Sequence, residues 1–419
     1  MQTAADQQWS AVKKFFFRFA CIYIPIYVFS DAFPFIEGFN QIGHLLNSLG
    51  VWVGTEILGV EGPINTSFTG SGDRTIDYIN LLVFNTLALF GSIVWTIADH
   101  NRSHYENVVY WICLLVRYYL FAVLFLYGIV KVIKTQFPFP ELWRFLQPLG
   151  DLSPMGLAWT YMGFSKPYTF FAGVMEIIPA LLLLFRKTTS FGALISAGVM
   201  THVVVMNFSY DIPVKLFSIH IVLFSLFLLA FDARRILNVF VLNKTTAAVD
   251  YKPLLVNKSH QYGVLLFKGL FIASIIIPNI LNTWGRYQQM ENYAENVPLY
   301  GIWKVEEFIE NGESIPPLIT DRERWHYLIF EHPGRAILIR TNLDRDHFSA
   351  QVDTTGQTIM LNRLNSSMVF SYQKKDSVLV LSGDHGSESH SIILHYFGME
   401  NFRLIDRGFN WINEFPYNR

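Results

Sequence analysis

Ionisable side chains stranded inside apolar segments are the residues of this chain with the capacity for chemistry. A charge within a bilayer is costly unless a partner or a task holds it there. Arg117 lies near the middle of the apolar run 108–133, and Glu176 near the middle of the run 167–185. Counted from opposite membrane faces they reach similar depth, so the expectation is a buried Arg117–Glu176 ion pair that locks two helices or couples to proton or electron transfer. Arg117 and Lys131 stand about 40° apart around a helix, which gives that segment one polar face. Asp73, Asp77, His202, Asn207, Asp211, Lys215 and His220 fall toward the same outer third of neighbouring segments, and Tyr127 adds a hydroxyl. With Lys131 they are expected to form a polar cup for the head group of a quinone or another lipophile. His202 and His220 lack a third ligand at matching spacing, so neither a metal nor a haem site is read from them.

The elements that must position these residues follow from composition. The chain has 419 residues, 52% hydrophobic and 16% charged, against about 25% charged in an ordinary soluble domain. A net charge of −1 leaves no basic surplus to neutralise phosphates, which excludes nucleic acid as a partner. Cys21 and Cys113 form no CxxC, so a disulfide framework, a zinc ribbon and a dithiol shuttle are excluded too. The run Phe19 to Phe29 follows Lys13, Lys14 and Arg18, and Ser30-Asp31-Ala32-Phe33-Pro34 offers no small-x-small cleavage site, so it reads as a retained first membrane helix. Further apolar segments at about 75–97, 108–133, 167–185, 189–208, 215–231 and 261–283 each approach the roughly 20 residues that span a bilayer. The sum is about seven transmembrane helices.

Lysine and arginine collect in cytoplasmic loops. With the N-terminus inside, Arg102, Arg186, Lys187, Arg234, Arg235, Lys244, Lys252 and Lys258 join Lys13, Lys14 and Arg18 in the cytoplasm. An odd number of spans then delivers the C-terminus to the outside. From about Leu299 charges become frequent and short alternating segments appear, among them Trp325 to Phe330, Ala336 to Ile339, Gln357 to Leu361, Met368 to Tyr372, Ser377 to Leu381 and Ser391 to Tyr396. Turn signals at Pro333-Gly334, Thr355-Gly356, Lys375-Asp376 and Gly383-Asp384-His385-Gly386 separate them, which is hairpin chemistry. The fold class is therefore a membrane α-helical bundle over 1–290 followed by an all-β, barrel-like extracytoplasmic domain over 297–419. The loop 134–166, rich in Phe, Trp and Pro, is aromatic enough to lie in the membrane interface.

Several stretches of the helical part resemble DoxX-like membrane proteins over about residues 10–240. They are Gly70-Ser71-Gly72-Asp73, Gln136-Phe137-Pro138, Ser153-Pro154-Met155-Gly156-Leu157, Met162-Gly163-Phe164-Ser165, the run from Phe171 through Glu176 to Thr189, and Asn207 to Lys215. The resemblance implies membrane-bound redox or quinol chemistry; the absence of paired cysteines departs from the dithiol relatives. The β domain opens Tyr300-Gly301-Ile302-Trp303, similar to the Gly-x-Trp of lipocalin-type barrels. That resemblance implies an arginine packed across the tryptophan, and Arg407 in Asp406-Arg407-Gly408-Phe409 is the candidate.

The function these observations favour is a redox-associated or quinone-binding or lipophile-binding protein of the cell membrane, its partners being membrane lipid and a lipophile. In that reading Arg117 and Glu176 poise the site; one rival is a membrane enzyme similar to the HTTM domain of vitamin K-dependent carboxylase, with Lys215 as base. Another is a non-catalytic accessory subunit whose β domain docks a protein partner. Protease added outside intact cells or spheroplasts is expected to trim the β domain from about residue 290; protection of that domain means that a span is miscounted.

Overall fold

The computed structural model describes residues 9–30, 37–67, 69–248, 258–363, 366–385 and 388–418. Asp31 to Pro34, Lys252 and Gly386 lie outside the described residues. The chain divides into two compact units, Met1–Gln136 with Pro167–Leu281, and Phe137–Lys166 with Asn282–Arg419.

The first unit is helical: α1 (Ala11–Ser30), α2 (Glu37–Trp52), α3 (Thr75–Ala98), α4 (Glu106–Val132), α6 (Lys166–Leu183), α7 (Thr189–Ser209), α8 (Lys215–Ala230), α9 (Ala233–Phe240) and most of α10 (Lys258–Glu291), with α5 (Pro154–Phe164) belonging to the second unit. Among the described residues, five helices are long and apolar enough to cross a membrane: α3, α4, α6, α7 and the stretch Gln261–Glu291. Helices α8 and α9, bent by 82° between them, make a sixth if they form one span. Helix α1 has the length but carries Lys13, Lys14 and Arg18. Burial there has a specific cause. Arg18 is 2% exposed and its guanidinium donates to Tyr105 Oη at 2.8 Å, Thr96 Oγ1 at 2.9 Å and the Asp99 carbonyl at 2.8 Å, so the charge that weakens the apolar pattern pins α1 to the end of α3. The core is centred on α4, whose Tyr119, Leu120, Phe121 and Leu124 are at most 1% exposed. Helix α2 lies in a region that the apolar-run criterion passes over, because its Asn, Gly and His residues interrupt any such run.

In the second unit, eight strands close a barrel: β1 (Gly301–Glu310), β3 (Trp325–Phe330), β4 (Arg335–Arg340), β5 (Arg345–Asp353), β6 (Thr358–Arg363), β7 (Ser366–Lys375), β8 (Val378–His385) and β9 (Glu388–Tyr396). All neighbours are antiparallel and β1 pairs with β9 to complete the ring; the two-residue β2 (Glu313–Ser314) is a hairpin extension of β1. Inward rows such as Phe348 and Ala350 of β5, Ile359 and Leu361 of β6, and Ile392 and Leu394 of β9 fill the interior, as expected of a small barrel. Trp303 is 1% exposed and donates from Nε1 to the Leu299 carbonyl at 2.8 Å. The expected Arg407 contact is not made. Arg407 lies over Tyr417 at 4.2 Å, and Lys374 stands over Trp303 at 5.7 Å, because Arg407 follows the last strand on an exposed tail while Lys374 is on a strand of the barrel.

The segment after α4 belongs to the barrel's unit. Ile302, Ile329, Ile337 and Ile339 face outward from the barrel, and Leu142 with Trp143 and Leu146 covers them. Trp143 is held between Arg144 at 4.3 Å and Arg345 at 4.2 Å. Both carboxylate oxygens of Glu331 accept the Leu142 backbone N–H, at 2.9 and 3.0 Å. Burial pushes the Glu331 carboxyl up from 4.5 to about 7, Leu142 pulling it down and Glu141 adding to the rise. The folded protein thus holds this proton more tightly than the unfolded chain, so its contribution to stability is largest below about pH 4.5 and is lost as pH rises toward 7. Thermal unfolding of the full-length protein in detergent is expected to show that loss between pH 4.5 and 7, and Glu331→Gln to remove it; an identical pH dependence in the variant refutes the assignment.

Candidate functional site

Helices α4 and α6 approach until their backbones touch at two glycines. A Cβ on Gly173 would lie 2.6 Å from the Gly128 carbonyl oxygen, and one on Gly128 would lie 2.9 Å from that of Gly173. This contact sets the antiparallel register of the two helices. Side chains lean toward the N-terminus of their own helix, so Lys131 reaches back along α4 and Glu176 back along α6 to the level of the glycines. There Lys131 Nζ meets Glu176 Oε2 at 2.9 Å, with side chains only 9% and 4% exposed. The ion pair expected for Glu176 is therefore made with Lys131 and not with Arg117. The same register sets Arg117 about 10 Å further along α6, where its Nε donates to the Leu183 carbonyl at 2.9 Å. That carbonyl ends α6, and Lys268 of α10 donates to the next one, Leu184, also at 2.9 Å. Two cations on the open carbonyls of a helix C-terminus complement its dipole, a structural task for Arg117.

Most of the outer polar residues are occupied in holding helix ends. Asp73 accepts the backbone N–H of Lys215 at 2.8 Å and of Leu216 at 2.9 Å, capping α8, while Gly72 N–H donates to the Pro213 carbonyl at 2.7 Å. Lys215 Nζ closes the cap, 3.0 Å from Asp211 Oδ1 and 3.7 Å from Asp73 Oδ2. Asp77 accepts the Arg74 backbone N–H at 2.8 Å and its guanidinium at 2.8 and 2.9 Å, forming the capping box of α3. Asn207 donates to Ser218 Oγ at 3.0 Å. His202 is exposed on α7.

Beside these caps a cavity of about 280 Å³ opens among α1, α3, α4 and α8. Of the expected cup residues, Asp77, Tyr127 and His220 line it; Asp73, Lys131, His202, Asn207, Asp211 and Lys215 do not. Its apolar walls are Leu81, Phe84, Leu126 and Phe217, and its polar side carries Ser71, Asn47 and Asn80. Asn80 donates to Asn47 Oδ1 at 2.7 Å, and its own buried Oδ1 has no hydrogen-bond partner among the described residues. His220 is stacked on Tyr27 with centroids 3.9 Å apart and planes 10° apart. Its Nδ1 is 2.7 Å from the Leu216 carbonyl and its Nε2 2.7 Å from Tyr23 Oη. A carbonyl only accepts, so Nδ1 carries a proton, and in the neutral imidazole Nε2 then accepts from the tyrosine. The imidazole and the phenol are joined by one hydrogen bond along which a proton can pass.

Tyr23, Tyr27, Asn47 and Asn80 escape a search for charges in apolar runs. The four-residue spacing of Tyr23 and Tyr27 gives them one helix face, but nothing in the sequence ties that face to His220. Against known proteins, the chain is 31% identical over 133 residues to the uncharacterized protein YwoB of Bacillus subtilis (strain 168), a match that takes in 79% of YwoB and 30% of this chain. The chain belongs to the YwoB family. No family model and no solved structure matches it. The name YwoB carries no activity, so the chemistry of the site has to be argued from its own residues.

Removing one member of a buried pair leaves an uncompensated charge, at a cost of about 3–5 kcal/mol, and removing both is milder. Lys131→Met and Glu176→Gln are expected to be coupled in this way in a double-mutant cycle of stability in detergent, and Arg117→Met to add to Glu176→Gln independently. Coupling of Glu176 to Arg117 instead would overturn the register.

Proposed function

We propose that the helical unit is a membrane-embedded binding protein for a lipophile with a planar, neutral, hydrogen-bonding head group, of which a quinone is the leading example. The observation that carries this reading is the Tyr27–His220 stack in the wall of the cavity. It offers a flat aromatic surface to a ring, with amide and hydroxyl groups of Asn47, Asn80 and Tyr127 around it. The charges at the rim, Arg74 and Asp77, neutralise each other, which favours an uncharged head group over an anion. A volume of about 280 Å³ lies just below the roughly 300–1,000 Å³ of small-molecule sites, which suits a single ring with its tail in lipid. The Tyr23–His220 hydrogen bond supports the redox-associated, DoxX-like reading, since quinone reduction takes up protons.

In this reading the chain spans the cell membrane seven times with its β barrel outside: α1 and the α8–α9 pair each cross once, in addition to the five apolar helices. The carboxylase-like alternative needs Lys215 as a neutral base, and the two carboxylates beside it favour an ammonium. The accessory-subunit alternative has the β domain dock a protein partner, and α10, of which no residue from Gln261 to Leu281 is buried, offers a further apolar surface for such a contact.

Organic extraction and mass spectrometry of the protein purified from its native membrane should yield a co-purifying quinone or related lipophile. Loss of an aromatic stack costs on the order of tenfold in affinity, so Tyr27→Leu should carry much less of it at unchanged yield, while His202→Gln on the exposed face of α7 should carry as much as wild type. An empty protein, or equal loading in all three, refutes the proposal.

A further inference from the structure

Where β1 finishes and β9 begins, three metal-ligating side chains meet inside the mouth of the barrel. Glu310 is the cross-strand partner of His390, and Glu388 precedes His390 by two residues, on the same face of β9. Further along the same two faces lie Phe308, Ile392 and Leu394, buried in the barrel core, so the inward rows of both strands end in ligating groups. The turn that follows is fixed on both sides. Asn311 and Gly312 take the left-handed backbone a tight hairpin needs, at φ of 53° and 85°. Asn311 N–H donates to the Ser389 carbonyl at 2.8 Å, and Ser389 N–H donates to Asn311 Oδ1 at 3.0 Å.

His390 is the decisive residue. Its side chain is nine-tenths buried, 10% exposed, against the Phe308 ring at 5.6 Å. Its Nδ1 is fully buried and has no hydrogen-bond partner among the described residues. A buried imidazole nitrogen left in that state costs free energy. Nδ1 faces Glu310 Oε1 at 3.8 Å and Nε2 faces Glu388 Oε2 at 3.9 Å, both too long for hydrogen bonds. One ligand atom from each of the three residues lies within 4.8 Å of the other two. The remaining Glu–Glu–His group among the described residues, Glu141, Glu331 and His332, differs in having its donors engaged. Glu331 accepts the Leu142 N–H with both oxygens, and Glu141 accepts the Trp143 indole N–H.

We propose that Glu310, Glu388 and His390 bind a divalent transition-metal ion, with Zn²⁺ the best match to the donor set. Imidazole with two carboxylates suits zinc and its neighbours, whereas Ca²⁺ and Mg²⁺ prefer oxygen ligands alone. Two ligands at a tetrahedral angle about zinc, with bonds of about 2.0–2.2 Å, stand roughly 3.4 Å apart, and the three ligand atoms here lie within 4.8 Å of one another, so the site closes on an ion by side-chain shifts of up to roughly 1.4 Å. An ion there joins β1 to β9 across the seam that closes the barrel, and it satisfies the buried imidazole. Three protein ligands leave a fourth position for water or an outside ligand.

The test is a titration of full-length protein in detergent, stripped with a chelator, with ZnCl₂ in competition with a chromophoric indicator. Wild type should take up one equivalent that excess Ca²⁺ or Mg²⁺ does not displace. Glu388→Gln and His390→Gln should each weaken that equivalent by at least about tenfold, the usual scale for groups that build a metal site. Zinc should also raise the melting temperature of wild type and not of Glu388→Gln. Glu388 is exposed at the start of its strand, so that variant decides the matter if His390→Gln does not fold. No stoichiometric uptake, uptake unaltered by Glu388→Gln, or displacement by Ca²⁺ overturns the proposal.

Discussion

The contact of Gly128 with Gly173 is the constraint on which the helical unit turns. Two backbones that meet without side chains between them can be placed in few registers, and this one brings a lysine and a glutamate together where neither has water. The pair contributes little net stability over an apolar alternative of the same shape. Its effect is on specificity, since sliding α4 along α6 by one turn separates the charges inside a low-dielectric core. The same register sets Arg117 at the end of α6, where open carbonyls accept it. One close approach therefore settles the partners of three buried ions.

Helix ends account for the rest of the polarity in that unit. Each α-helix leaves four N–H groups and four carbonyls without partners, and within an apolar bundle side chains have to supply them. Asp73 and Asp77 cap α8 and α3, while Arg117 and Lys268 cover the end of α6. Once those needs are met, the groups left for chemistry are few and mostly uncharged: His220, three tyrosines and two asparagines. That division between structural charge and neutral polarity is what gives the cavity its character.

The two units solve the same problem by different means. The barrel satisfies its backbone by closing β1 on β9 and fills its interior with apolar side chains, and polar groups interrupt the inward rows near the strand ends, Asp346 on β5 and Glu310, Glu388 and His390 on β1 and β9 among them. A row of buried apolar residues that ends in ligating groups marks a change of task within one strand.

Local composition determined the two-part architecture. Charge depletion and run length are local properties, so α3, α4, α6, α7, α8 and α10 were legible, and period-two alternation with turn residues marked six of the barrel strands. β1 and β5 were not read as strands, because Glu306, Glu307, Arg345 and Asp346 dilute the pattern; β1 also carries a bulge between Val305 and Glu307. Helix α2 lacks an apolar run altogether. That Glu176 needs a cationic partner was equally legible from the cost of burying its charge. Which cation it takes was not, because depth counted along each helix ignores where two helices cross. The outer charges were read as a cup because their types and depths agree, yet whether Asp73 points into a cavity or onto the N-terminus of α8 depends on a loop conformation fixed only in three dimensions. His220 was visible as a buried histidine. Its two tyrosines come from a helix nearly two hundred residues earlier in the chain, and only the packing of α1 against α8 decides that contact.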